Sequence, residues 1–155
     1  MADLKADANK RRNQRARALK KLHAVIDSVL LPAGYIGDKD HWTRNNIFAR
    51  TSIAIQKSKY GNGCFINVSA ANRYPLRAIA YPLGPSVGVH RIADFVDAQK
   101  RLKAFDLHDY NELENNSVLL DTITSVLRDR ALPWLNYCHT LRGAYNLPKP
   151  MDYLK

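Results

Sequence analysis

The sequence is poor in cysteine and contains no long apolar run, and both absences exclude classes of protein. Its two cysteines, Cys64 and Cys138, have no close spacing, so they form neither a disulfide framework nor a zinc signature, and we expect buried, reduced thiols. No apolar run approaches the roughly 20 residues of a membrane span. The basic, polar N-terminus lacks the apolar core of a signal peptide. These features predict a cytoplasmic protein without a membrane segment.

Motifs of common catalytic and metal-binding sites are also missing. The sequence has no Gly-x-Ser-x-Gly elbow, no phosphate-binding loop and no dinucleotide-binding fingerprint. Its histidines are scattered and lack the short spacing that zinc ligands need. We therefore predict no metal site and no cofactor, and we favour a binding protein over an enzyme. The histidines are His23, His41, His90, His108 and His139.

Acidic residues are too few to balance the basic ones, 14 against 24, and the formal net charge is +10. The excess is local. Residues 1–21 hold eight Lys and Arg against two Asp, a net charge of +6, whereas the rest of the chain carries +4. The chain therefore has a basic arm and not a uniformly basic surface. Its 155 residues otherwise fit one ordinary globular domain.

Glycine and proline are absent from residues 3–31, where Ala, Lys, Arg and Leu dominate, so the sequence predicts one long helix. Apolar residues at helical spacing begin at Leu19 and continue through Leu22 and Ile26, so only the second half of this helix can pack on a sheet. We therefore divide the chain into a basic helical arm, residues 1–18, and a single domain, residues 19–155. We expect the arm to project from the domain or to fray.

The basic residues of this helix are the first candidate site. Lys and Arg bind phosphate backbones by displacing condensed counterions, so the pattern predicts binding to nucleic acid or to an acidic protein. Aromatic residues are absent from the arm, which argues against base reading there. A solvated helix face that aids solubility is the alternative. The candidate residues are Lys10, Arg11, Arg12, Arg15, Arg17, Lys20 and Lys21.

Two alternating segments between Ile53 and Ala70 flank a glycine-rich turn and predict a β-hairpin. Either Gly61-Asn62 or Asn62-Gly63 can form a two-residue turn. The two registers differ by two residues, so both give the same faces. The apolar face contains Ile53, Ile55, Cys64, Ile66, Val68 and Ala70.

The opposite face of the hairpin is polar and is the second candidate site. Gln and Asn are depleted in strands, so a cluster of amides beside aromatic side chains is typical of a recognition surface. The alternative is an ordinary solvated sheet face. The candidate contact residues are Gln56, Ser58, Tyr60, Phe65 and Asn67.

Segments on either side of the hairpin predict further strands. Residues 38–46, a polar connection that contains Trp42, predict a first short strand, and residues 87–92 predict a strand that returns to the sheet. Between the hairpin and this last strand, prolines and glycines predict a loop with at most one edge strand around residues 77–81. A short helix or irregular segment should follow over residues 95–105.

A second helix is predicted near the C-terminus. Good N-cap residues for it are Asn115, Asn116 and Ser117, and Pro133 should kink or restart it. Residues 147–150, with two prolines, should close the chain in extended form. We therefore predict an α+β fold, an antiparallel sheet of three to five strands packed against a long N-terminal helix and a C-terminal helix.

Several of these motifs resemble a bacterial family of small uncharacterised domains. That family has a Trp-x-Arg strand, a hydrophobic-Gln-Lys-Ser-x-Tyr-Gly hairpin and a Phe-x-Ile-Asn return strand. The resemblance covers roughly Leu19 to Ile92, with weaker similarity in the C-terminal helix. It implies an α+β fold, an antiparallel sheet flanked by helices, but it implies no reaction. The matching segments are Trp42-Thr43-Arg44, Ile55 to Gly61, Phe65-Ile66-Asn67, the opening Leu30 to Tyr35 and the later pair His90-Arg91.

Two other functions remain open beside a non-catalytic binding protein. Asp38 and Asp40, ahead of a strand that contains Lys57, resemble the carboxylates and lysine of a metal-dependent nuclease or other hydrolase. The strands offer no second carboxylate at a suitable spacing. The other possibility is an immunity or antitoxin-type protein that neutralises a partner. The sequence favours a basic N-terminal helix that engages nucleic acid or an acidic protein.

Overall fold

The computed structural model describes residues 2–73, 87–96 and 108–154, with side chains from Ala6 onward. It has the predicted α+β fold, an antiparallel sheet with a long N-terminal helix and C-terminal helices. The strands are β1 (Ile36–Asp38), β2 (His41–Asn45), β3 (Ala49–Lys57), β4 (Gly63–Asn72), β5 (Val87–Arg91) and β6 (His108–Asp109). The helices are α1 (Ala2–Leu30), α2 (Tyr110–Asn115), α3 (Ser117–Val126), α4 (Leu132–Cys138), α5 (Leu141–Tyr145) and α6 (Pro150–Tyr153).

The strands pair in the order β1-β2-β3-β4-β5, all antiparallel, and β6 pairs with the hairpin end of β4. The sequence predicts one strand before the central hairpin, whereas the structure contains two. All three residues of β1 are exposed, so this strand has no apolar alternation to reveal it. Its place at the sheet edge depends on pairing with β2, where Ile36 lies opposite Thr43.

The faces of the β3–β4 hairpin are as predicted, but its loop is wider. The Ser58 amide donates a 2.9 Å hydrogen bond to the Gly63 carbonyl, so neither predicted two-residue turn is present. Gly61 supplies the positive φ, 79°, that the loop needs. Gly63 does not form the turn, because it packs closely against β6. A Cβ at this position would lie 2.3 Å from the carbonyl oxygen of His108. The register differs from both predictions by an even number of residues, so the faces are preserved.

The core lies between the inner face of the sheet and the helices. Leu22 and Ile26 of α1 have no exposed surface, which confirms the predicted apolar stripe. Trp42 of β2 is also buried, and its indole N–H donates to a carboxylate oxygen of Asp27 at 2.7 Å. The predicted apolar residues of the hairpin, Ile53, Ile55, Cys64, Ile66, Val68 and Ala70, are all buried.

Both cysteines are free, buried thiols, as the sequence predicts. Burial raises the pKa of Cys64 and that of Cys138 to about 12. The thiolate form is therefore disfavoured near neutral pH, and both side chains pack as small apolar groups.

The second major helix is interrupted, as Pro133 predicts. Asn116 caps α3, since its side-chain oxygen accepts the Leu119 amide at 3.1 Å. A π-helical turn over Leu127–Ala131 then leads into α4, where Pro133 lies in the first turn and needs no amide donor. The short helix α2, immediately before α3, was not predicted.

The end of the chain departs from the predicted extended form. Lys149 is extended, but Pro150 starts α6, because proline suits the first position of a helix. Strand β5 confirms the strand predicted at residues 87–92, and a 3-10 turn over Ile92–Phe95 follows it. The edge strand predicted around residues 77–81 and most of the segment predicted over residues 95–105 lie outside the described residues. Among the described helices, none is long and apolar enough to cross a membrane.

Candidate functional site

Residues 6–13 of α1 lie outside the packed body. Every side chain from Ala6 to Asn13 is exposed, and Ala18 is the first fully buried residue of the helix. Lys10, Arg11 and Arg12 occupy successive positions of this exposed part, so they are separated by about 100° around the helix axis. Together they place positive charge on more than half of the helix circumference.

The exposed part of α1 is shorter than predicted, because the helix contacts α2 from Gln14 onward. The guanidinium carbon of Arg15 lies 5.6 Å from the centre of the Tyr110 ring, and Arg17 forms an ion pair with Glu114. Hydrogen bonding from Arg17 holds the pKa of Glu114 below its ordinary value, so this carboxylate is ionised near neutral pH. Charged side chains of α1 make these contacts, so the apolar spacing of the helix does not reveal them.

The predicted basic residues therefore fall into two groups. Arg15 and Arg17 contact α2, and Lys21 donates from Nζ to the backbone oxygen of Glu114. The others are exposed and have no ion pair within the described residues. This second group contains Lys10, Arg11, Arg12 and Lys20.

The β3–β4 loop lies beside the projecting end of α1. Arg11 lines a cavity of about 200 Å³ together with Gly61 and Asn62 of the loop. The same loop carries Lys59 and Tyr60, of which Tyr60 is 90% exposed. One end of the molecule thus combines the basic helix with a further basic side chain and an exposed aromatic ring.

On the outer face of the sheet, the structure brings together three of the predicted contact residues. Asn67 donates from its side-chain nitrogen to the side-chain oxygen of Gln56 at 2.9 Å. Phe65 lies opposite Gln56, and the guanidinium of Arg91 in β5 lies 3.8 Å from the centre of its ring. Ser58 differs from the others, because its hydroxyl accepts a backbone N–H within the loop at 3.2 Å. Sequence reasoning missed Arg91 as a contact residue, although the alternation of β5 places it outward.

An ionic cluster joins the β1–β2 turn to β3 and α1. One carboxylate oxygen of Asp40 lies 2.5 Å from Lys57 Nζ, and the other lies 2.8 Å from His23 Nε2. Burial opposes ionisation of Asp40, but hydrogen bonds from Lys57 and His23 outweigh it and hold its pKa below the ordinary value. Because both carboxylate oxygens already face these groups, the cluster opposes the binding of a cation. Asp38, the other carboxylate of the predicted nuclease pattern, is exposed on β1.

Metal ligands do not converge elsewhere in the described residues. No group of three or more His, Cys, Asp or Glu side chains able to hold a metal ion occurs in residues 2–73, 87–96 and 108–154. The arrangements that the structure does assemble are hydrogen-bonding and stacking surfaces. Their chemistry is that of binding, by charge, by amide hydrogen bonds and by planar groups.

A cavity of about 480 Å³ lies next to β5 and contains three ionisable side chains, those of His90, Asp94 and Lys149. Burial lowers the pKa of His90, with Asp94 acting against this shift and Lys149 reinforcing it. The imidazole packs edge-on against Trp134, with the ring centres 5.4 Å apart. His90 is therefore neutral near neutral pH, and its imidazole lines the cavity as an uncharged hydrogen-bonding group. The sequence does not reveal this cavity, because the residues that line it come from segments far apart in the chain.

Comparison with protein families gives a match over residues 26–137 to the family described as "Domain of unknown function (DUF4304)". The matched segment is more than half of the chain. The chain belongs to this family. No curated protein and no solved structure matches this chain.

The DUF4304 match agrees with the resemblance to a family of uncharacterised domains and extends further toward the C-terminus. It begins inside α1 at Ile26 and ends at Tyr137 in α4. The outer face of the sheet and the Asp40–Lys57 pair thus lie inside the family domain, whereas His23, the other partner of Asp40, precedes it. The exposed basic part of α1, residues 6–13, precedes it.

Proposed function

We propose that this protein binds nucleic acid, and that the exposed first half of α1 supplies the phosphate contacts. The observation that carries this proposal is the exposure of every residue from Ala6 to Asn13 in a helix that contains Lys10, Arg11 and Arg12. Lys and Arg without ion-pair partners release condensed counterions from a phosphate backbone when they bind it. Residues 1–21 carry a net charge of +6, which supports attraction to a polyanion.

The distribution of the charges favours duplex DNA over an acidic protein. Successive basic residues cover more than half of the circumference of α1, whereas a protein surface contacts a helix along one side. The major groove of B-form DNA is about 12 Å wide, admits an α-helix and has phosphates on both sides of it. At a rise of about 1.5 Å per residue, the exposed part from residue 6 to residue 13 is about 12 Å long. Lys59, on the loop beside Arg11, extends the positive surface.

The remaining features are compatible with a compartment that contains nucleic acid. Both thiols are free and buried, which is typical of a reducing environment, and we place the protein in the cytoplasm. No catalytic step is part of the proposal, since Asp40 is held by Lys57 and His23. Binding without chemistry is the function that these contacts support best.

A salt titration of duplex binding tests the proposal. We expect the triple variant Lys10→Gln, Arg11→Gln, Arg12→Gln to weaken binding to a short, labelled DNA duplex. The negative slope of log K against log salt concentration should become shallower by about 2.7, since each phosphate contact contributes about −0.9. The control has the same charge change at exposed positions of the C-terminal helical region, Arg128→Gln, Arg130→Gln, Arg142→Gln. Fluorescence anisotropy gives K, and circular dichroism checks folding.

Three outcomes would overturn this proposal. If both triple variants reduce the slope equally, the positive charge acts only as a diffuse field and α1 has no special role. If the arm variant binds the duplex as tightly as the unmodified protein, α1 makes no phosphate contact. If the unmodified protein does not bind duplex DNA but binds polyglutamate, and the arm variant loses this binding, the partner is an acidic protein.

A further inference from the structure

Within the described residues, four neighbouring strands present side chains on the outer face of the sheet. Pairing between β2, β3, β4 and β5 places one set of alternating residues on the side away from the core, and none of them is buried. This set includes Arg50 and Arg91 and contains no Asp or Glu. The flanking strands add Asp38, opposite His41, and Asp109, opposite Gly63, so the positive charge of this face is confined to Arg50 and Arg91 on β3 and β5. An anionic partner would be attracted at these two positions. The residues of the four-strand set are His41, Thr43, Asn45, Arg50, Ser52, Ala54, Gln56, Phe65, Asn67, Ser69, Ala71, Val87, Val89 and Arg91.

A planar stacking platform lies near one end of this face. The guanidinium of Arg91 is 3.8 Å from the centre of the Phe65 ring, and Arg91 is exposed. The position of Arg91 is fixed from the backbone, because its amide donates to a carboxylate oxygen of Asp94 at 2.9 Å. Guanidinium planes and aromatic rings are the groups on which proteins stack unpaired bases. The Arg91–Phe65 pair therefore presents a platform for a flat, electron-rich ring.

Hydrogen-bonding groups adjoin the platform. Asn67 lies opposite Arg91, and Gln56 lies opposite Phe65. The hydrogen bond between their side chains uses one donor of Asn67 and the acceptor of Gln56. It leaves the amide donors of Gln56 and the carbonyl acceptor of Asn67 for a ligand. A donor and an acceptor side by side match the edge of a base, as Asn and Gln do when they read adenine.

We propose that this outer face binds single-stranded DNA, with a base stacked on the Arg91–Phe65 pair and its edge bonded by Gln56 and Asn67. A duplex cannot use this site, since its bases are already stacked and paired. The inference rests on the proposed function for the choice of DNA, because a helix that fits the B-form major groove does not fit the narrow one of RNA. The proposed single-strand site lies on a different surface from α1, however. Either proposal can therefore be wrong while the other holds.

Charge-preserving variants test the platform. Arg91→Lys keeps the positive charge but removes the planar group, and Arg50→Lys is the matched control on the same face. With labelled oligo(dA), we expect Arg91→Lys to weaken binding about tenfold, the loss typical of one stacked base, and Arg50→Lys to have little effect. Phe65→Leu, which keeps an apolar side chain beneath Arg91, should act in the same direction as Arg91→Lys. A deoxyribose-phosphate oligomer without bases should bind the unmodified protein and Arg91→Lys equally.

Several outcomes would contradict the proposal, and one pair of results separates it from the proposed function. Equal effects of Arg91→Lys and Arg50→Lys, or an equal loss on the oligomer without bases, would show that Arg91 contacts phosphate only. Tighter binding of oligo(A) RNA than of oligo(dA) would assign the face to RNA, and no binding of any oligonucleotide would leave it to a protein partner. If Arg91→Lys has no effect while the Lys10, Arg11, Arg12 variant loses duplex DNA, the platform is wrong and the proposed function stands. If Arg91→Lys weakens the binding of oligo(dA) while the Lys10, Arg11, Arg12 variant still binds duplex DNA as tightly as the unmodified protein, the platform is supported and the proposed role of α1 is wrong.

Discussion

Lys57 and Asp40 form an ion pair, with 2.5 Å between Nζ and the carboxylate oxygen, that ties the end of β3 to the β1–β2 turn. The pair is partly open to solvent, with 39% of the Lys57 side chain and 27% of the Asp40 side chain exposed. Water and salt screen a pair of this kind, so its geometry does not imply a large stabilisation. The more definite consequence of the ion pair is that Lys57 occupies the Asp40 carboxylate. A metal-dependent nuclease would need this carboxylate as a metal ligand.

We expect a coupling free energy of about 0.5–1 kcal/mol between these two side chains. A double-mutant cycle of Asp40→Asn and Lys57→Met, measured by urea denaturation, gives this quantity. Because the native pKa of Asp40 is lowered, the pair stabilises the protein above the ordinary pKa of aspartate, and the stabilisation is lost as pH falls through the native pKa. A coupling energy that does not decrease in high salt would contradict this picture of a screened pair.

The two faces of β3 predict very different costs for neighbouring substitutions. Ile55 is 6% exposed and packs in the core, so Ile55→Ala should destabilise the protein by about 2–5 kcal/mol. Gln56, the next residue, is exposed on the outer face, and Gln56→Ala should cost about 0.5 kcal/mol or less. Chemical denaturation of both variants measures the difference. Similar losses in the two variants would mean that the face of one residue is wrongly assigned.

The hairpin was predictable from sequence because period-two alternation and a glycine-rich turn act locally. Ile53 and Val68 are buried opposite one another, as their spacing requires. The loop geometry was not predictable, since Gly63 is fixed by the carbonyl of His108, a residue from a distant segment. Local patterns thus gave the faces, and a tertiary contact decided the turn.

The candidate sites show the same division. The basic residues of α1 are visible in the sequence because they are consecutive, whereas the contact of Arg17 with Glu114 depends on α2, far along the chain. Gln56 and Asn67 were placed on one face by hairpin alternation alone. Arg91 could not be placed over Phe65 without knowing that β5 pairs with β4. Interactions between distant segments carry no local sequence signal.

A buried chain of hydrogen bonds links Tyr35, Thr51 and His139 and predicts a pH dependence of stability. The Thr51 hydroxyl lies 2.8 Å from the Tyr35 hydroxyl and 2.7 Å from His139 Nε2. The other ring nitrogen of His139 is buried and has no hydrogen-bond partner in the described structure. Burial, and secondarily the charge of Arg44, lower the pKa of His139 from 6.5 to about 4. The folded protein therefore disfavours the protonated imidazole.

Between about pH 6.5 and pH 4, the unfolded chain binds a proton at His139 that the folded protein does not bind. Unfolding therefore takes up a proton in this range, so stability falls as the pH decreases, and the contribution of His139 is fully present above pH 6.5. One pKa unit corresponds to about 1.4 kcal/mol, so the loss from pH 7 to pH 5 should be about 2 kcal/mol. We expect His139→Gln, whose amide can still bond Thr51, to lose about 2 kcal/mol less than the unmodified protein over this interval in chemical denaturation. His41→Gln, the same substitution at an exposed position, is the control. If His139→Gln keeps the full pH dependence, His139 is protonated in the folded protein and the buried chain does not hold it neutral.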